Sequence, residues 1–139
     1  MAAAGRTGGR VAAAISGIVL LAVTVTGALL PPAGAGGAHP VATIRVVDET
    51  YKVELASPRA LAIARQLLGR EIPPMIPNGR IVRGDPGPNA PWSWHIDPTT
   101  FDWADITTEV CDGLPEYVED GTLTSDWYCP WSAEVIAIE

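Results

Sequence analysis

The sequence predicts an α+β domain, a mostly antiparallel sheet with one main helix packed across a face. Three observations carry this expectation. Two β-branched, alternating segments stand close together from residue 41, a well-capped helical segment follows them, and short alternating runs separated by Pro- and Gly-rich turns fill the remainder.

The first thirty-five residues are of a different kind. Arg6 and Arg10 are the only charges before Val11, and residues 11–30 carry none. Pro31 and Pro32 end the apolar run, and Ala33-Gly34-Ala35 supplies the small residues that a signal peptidase accepts. Residues 1–35 are therefore expected to be a secretory signal cleaved after Ala35, with 36–40 a spacer and 41–139 a single domain. A retained anchor is the alternative, because a membrane span needs about 20 apolar residues and this run is just long enough. The domain then stays outside all the same, since Arg6 and Arg10 hold the start of the chain inside. A membrane contact is expected only through residues 11–30 of an uncleaved signal.

Residues 41–48 (VATIRVVD) alternate and are rich in β-branched side chains, and residues 51–55 (YKVEL) alternate again after Asp48-Glu49-Thr50. A hairpin follows. Ser57 then offers an N-cap, Pro58 suits the first helical position, and Gly69 is expected to take the left-handed position that ends the helix. Between them Leu61, Ala64, Leu67 and Leu68 recur at helical spacing and predict a helix over 58–68, leucine face toward the sheet. Pro73, Pro74 and Pro77 make residues 71–78 an extended connector. Strands are expected over 79–83, 92–97, 105–111 and 133–138, with a rigid turn-rich loop at 85–91 and a loop or single helical turn from Gly113 to Asp120.

Cys111 and Cys129 are the only two cysteines. In an oxidising compartment an even pair is expected to form a disulfide. Zinc is the competing reading, but neither cysteine has a CxxC partner and the nearest histidine is distant in sequence. Charge is divided unevenly: beyond residue 84 there are acids and no Lys or Arg, within a net charge of −7. Phosphate recognition needs concentrated cations, so nucleic acid and anionic lipid are poor partners. The acidic half suits Ca²⁺, a basic partner, or simple solvation.

Chemistry-bearing residues are sparse. His95 is the one histidine of the folded part, and Asp97 shares its face if the segment is a strand. The pair is either a general base with an orienting carboxylate or a loop-bonded His beside an Asp that caps the Asp97-Pro98 turn. Asp102 and Asp105 lie near in sequence, without the Gly-centred spacing of a calcium loop. No catalytic, metal or cofactor motif emerges. Five tryptophans are many for so small a domain; Trp92 and Trp94 share a strand face, and Trp127 and Trp131 flank Cys129. Buried, they pack the core; exposed, they suit a sugar or peptide groove.

Trp92-Ser93-Trp94-His95-Ile96-Asp97-Pro98, Glu109-Val110-Cys111-Asp112-Gly113, Tyr117-Val118-Glu119-Asp120 and Cys129-Pro130-Trp131-Ser132, with Gly79-Arg80-Ile81-Val82 and Asn89-Ala90-Pro91, resemble a family of small secreted bacterial domains. That family is similar to the N-terminal domain of a eukaryotic calmodulin-binding protein. The resemblance spans residues 41–139 and supports a single domain with Cys111 paired to Cys129. It implies no activity and no catalytic residues. Calmodulin binding does not carry over: the one basic amphipathic segment, Arg59 to Arg70, needs its leucine face for the core.

The expected function is an exported, non-enzymatic binding domain that meets an extracellular protein, peptide or glycan without a cofactor. Its expected surface comprises Trp92, Trp94, His95 and Asp97 with the 85–91 loop and the acidic 112–126 loop. One alternative is a small hydrolase or metal-dependent enzyme centred on His95, Asp97 and Asp102. The other is a secreted protease inhibitor presenting residues 112–128.

Overall fold

Residues 41–54 form the expected hairpin, β1 (Val41–Val46) and β2 (Glu49–Glu54), in a computed structural model that describes residues 8–9 and 38–139. The expected signal segment, apart from Gly8 and Gly9, and the cleavage point after Ala35 lie outside the described residues. No described helix is long and apolar enough to cross a membrane.

In the hairpin, alternation decides which face is buried. Ala42 pairs with Val53 and Ile44 with Tyr51, and all four side chains are buried on one face. The turn at Val47-Asp48 places the β-branched Val47 at φ 57°, a conformation its side chain disfavours. The last strand, β7 (Ala133–Ile138), pairs antiparallel with β1, giving a three-stranded sheet in the order β2-β1-β7.

The helix α1 (Pro58–Leu68) runs over the expected residues, with the Ser57 hydroxyl accepting from Ala60 N–H at 3.4 Å. It lies against β7 and the short strand Asp102–Ala104. Its buried residues are Ala60 and Ala64, whereas Leu61, Ile63 and Leu67 pack at the margins and Leu68 is exposed, against expectation. Small side chains at the contact let the helix backbone approach the sheet, so that Ala60 C=O also accepts the indole N–H of Trp103 at 2.9 Å.

The helix end also differs. Gly69 is right-handed (φ −76°), and Arg70 takes the left-handed position (φ 56°). Glu71 N–H then reaches Gln66 C=O at 2.8 Å and Arg70 N–H reaches Leu67 C=O at 3.0 Å, the two bonds of a Schellman cap. A glycine is thus one residue early. Exchanging the two, with Gly69→Ala and Arg70→Gly, is expected to raise stability by about 1 kcal/mol, because the exposed Arg70–Glu134 ion pair that is lost contributes little. A urea midpoint that fails to rise contradicts this.

A second, four-stranded sheet is built around β3 (Ile76–Arg83). Its first residues pair with β5 (Asp102–Ala104), its middle with β6 (Trp127–Tyr128) and its end with β4 (Trp94–Ile96). The strand thus begins three residues earlier than expected and takes in Pro77, which faces Trp103 in register with β5. Gly79 is required where β3 meets the last side chain of β4: a Cβ there would stand 2.3 Å from Ile96 Cγ2. The helical turn expected after Gly113 is present as α2 (Pro115–Glu119). The strand expected over 105–111 is absent; β5 ends at Ala104, and a 3₁₀ turn (Glu109–Cys111) replaces the rest. Here the chain bonds to itself, Cys111 N–H to Thr108 C=O and Asp112 N–H to Glu109 C=O, instead of to a neighbouring strand.

The sheets and helix enclose one core. At its centre Trp94 lies between Tyr51 and Tyr128, with ring centroids 5.8 and 5.5 Å away, and Phe101 meets Trp103 edge-on at 5.2 Å. Cys111 and Cys129 are joined in a buried disulfide, Cα atoms 5.1 Å apart.

Candidate functional site

The residues singled out around the tryptophans do not converge. Trp94 is in the core, 1% exposed, beyond the reach of a ligand in the folded domain. Trp92 precedes β4 and is half-buried; its indole N–H donates to Thr50 C=O at 2.8 Å, fastening the loop to β2. The 85–91 loop is pinned from beneath by Asn89, the one buried polar side chain among the described residues. Its carboxamide accepts Lys52 N–H at 2.7 Å and donates to Trp94 C=O at 2.8 Å.

His95 and Asp97 are on one face of the strand end but turn to different partners. The His95 Nδ1 lies 2.7 Å from Asp85 C=O, to which it donates. Gly87, at φ 48°, closes over this imidazole; a Cβ there would sit 3.2 Å from His95 Cγ. The Asp97 carboxylate accepts both the hydroxyl and the N–H of Thr99, at 2.7 and 2.9 Å. These bonds from Thr99, aided by the nearby His95 and Arg80, hold its carboxyl below the usual range. It is a turn-capping acid, and so acidic a group is a weak general base. Asp102 is occupied by Arg59 and by Trp103 N–H. No group of three His, Cys, Asp or Glu among the described residues is placed to hold a metal ion.

The acidic 112–128 segment does not protrude. Val118 and Leu123 are buried, and the Arg83 guanidinium donates to the carbonyl oxygens of both. Tyr128 donates its hydroxyl to Gly113 C=O at 3.0 Å, and burial pushes that phenol's pKa strongly upward.

Two grooves stand out among those at the surface of the described residues. One, of about 400 Å³, runs between the end of α1 and β7, walled by Leu67, Met75, Trp103 and Val135. Its charged groups, Arg70 and Glu134, are paired with each other at 3.1 Å. The other, of about 350 Å³, lies over the disulfide and is lined by Ile106, Thr108, Val110, Cys111, Ser125 and Trp127. Here the apolar side chains point out: Ile106 is 85% exposed, Val110 74%, Trp131 46% and Trp127 40%.

That second surface is assembled by backbone ties. Cys129 N–H donates to Cys111 C=O at 2.7 Å, joining the 3₁₀ turn to the end of β6 beside the disulfide. Trp131 N–H reaches the Asp112 carboxylate and its indole N–H reaches the Thr107 hydroxyl, both at 2.8 Å. With the polar groups of these segments bonded to one another, the apolar side chains are left facing water. Sequence reading missed Ile106 and Val110 because a strand would have turned both toward a core. The signal that could have found them is the company they keep, each with an acid immediately before it (Asp105, Glu109) in a run with no partner strand.

Neither a curated protein nor a solved structure matches the chain. Residues 39–139 match the BP-74 N-terminal domain family, a span that covers all of β1 to β7 and both segments flanking the disulfide, and the chain belongs to that family.

Proposed function

We propose that the domain is an exported, non-enzymatic binding module that engages a partner outside the cytoplasm through the apolar face over its disulfide. The observation that carries this reading is the exposure of Ile106, Val110 and Trp127 around one groove, with the exposed Trp131 tied to its edge at Thr107, on a small domain whose other large side chains are mostly buried. Contiguous apolar surface of this kind costs solubility and marks interaction sites. The disulfide and the basic, then apolar, start of the chain support the extracytoplasmic placement. The separation of His95, Asp97 and Asp102 onto three different sets of partners favours binding over catalysis. The Trp92 edge with the 85–91 loop adjoins the β2 side of the domain, and it contributes one half-buried ring where the disulfide face contributes four side chains.

The test is photo-crosslinking in the native host from a benzophenone side chain placed at Val110, compared with one at the exposed turn residue Asp48. A discrete adduct from position 110 alone is expected, lost on Trp127→Ser and retained on His95→Ala. No adduct from position 110, or equal labelling from both positions, contradicts the proposal.

A further inference from the structure

The charges around this face bear on what it binds. Three of the exposed apolar anchors follow a carboxylate in the chain, Asp105 before Ile106, Glu109 before Val110 and Asp126 before Trp127, and the fourth, Trp131, has its N–H bonded to Asp112. The ion pairs among the described residues are all elsewhere, Arg45 and Arg70 with Glu134, Lys52 with Glu139 and Arg59 with Asp102. No lysine or arginine occurs after Arg83, so the segments that build the face hold no cation to neutralise it. Among the described residues, the cation in register with the face is Arg80, opposite Trp127, one charge against the carboxylates of Asp105, Glu109, Asp112 and Asp126.

From this complementarity, and resting on the reading of the face as a binding surface, we infer that its occupant is a basic segment of a partner protein whose apolar side chains alternate with Lys or Arg. The apolar residues fill the groove over the disulfide while the cations meet the carboxylate rim. Rim charges of this sort speed encounter and select the partner, and the buried apolar contact supplies residence. The same rim argues against the two nearest alternatives. A second copy docked by two-fold symmetry would set the acidic patch of Asp105, Glu109 and Asp126 against the same acidic patch of its partner, and an anionic lipid surface would be repelled.

The experiment titrates the chain isolated from its host, disulfide intact, with a short synthetic peptide of alternating lysine and leucine. A glutamate–leucine peptide and a lysine–serine peptide are the controls. The lysine–leucine peptide is expected to bind alone, several-fold more weakly as salt rises from low to physiological levels. Asp105→Asn with Glu109→Gln and Asp126→Asn should weaken it about tenfold, and Ile106→Ser with Val110→Ser should abolish it. Equal binding of the lysine–leucine and glutamate–leucine peptides would overturn the basic occupant and leave the apolar surface standing. Loss in the charge variant but not in the apolar variant would overturn the surface itself. Failure of the lysine–leucine peptide to bind, or concentration-dependent dimerisation that excludes it, would overturn the inference.

Discussion

Replacing Trp94 by alanine is expected to cost about 3–5 kcal/mol, enough to leave a small domain largely unfolded. Its ring fills the space between Tyr51, Tyr128 and Trp92, and it is 1% exposed, so truncation opens a cavity with rigid walls on three sides. Phenylalanine at the same position should cost far less. The indole N–H of Trp94 is buried without a hydrogen-bond acceptor, so removing it sacrifices no bond and relieves an unmet donor. Urea unfolding of the two variants checks this, and similar large losses in both would contradict it. Trp127→Ser, by contrast, removes a ring already 40% exposed and should perturb the fold much less.

Removing the disulfide by Cys111→Ser with Cys129→Ser is expected to lower stability by about 3 kcal/mol, the loop-closure contribution for a sequence separation of 18. The proposed binding should weaken as well, because this bond holds the 109–111 turn against the strand that carries Trp127. Both sulfurs are buried, so in the native protein the bond should resist reductant until the domain opens. Comparing thermal unfolding of the double variant with that of the oxidised chain tests the magnitude. A variant as stable as the parent, with the face still competent to bind, would make the bond incidental.

The parts of the fold that local chemistry dictates were legible in the sequence. The 41–54 hairpin follows from alternation, the 58–68 helix from Ser57, Pro58 and helical spacing, and α2 from Pro115 after a glycine. The failures come where tertiary context overrode local pattern. Residues 105–111 alternate well enough for a strand, but β3 is already paired along its length with β5, β6 and β4. Without an available partner the segment folds on itself and turns Ile106 and Val110 outward. Gly69 drew the left-handed position by composition, yet the leucine-flanked alanine face sets the helix length, and Arg70 falls where the cap must form. Of the expected site, the sequence located Trp92, His95 and Asp97 beside one another but held nothing about their partners. Those partners are Thr50, Asp85 and Thr99, bonds that only a folded chain reveals. The pairing of Trp127 and Trp131 with the disulfide was legible; that they stand at its outer side was not.

The proposed binding role requires that the apolar side chains over the disulfide not be needed for the fold. Equilibrium urea unfolding of the Ile106→Ser, Val110→Ser double variant tests it most directly. Side chains that are 85% and 74% exposed bury little surface, so the variant should match the parent's stability to within about 0.5 kcal/mol. A loss of about 2 kcal/mol or more, the scale of a core truncation, would place both residues in the fold's own packing and contradict the account.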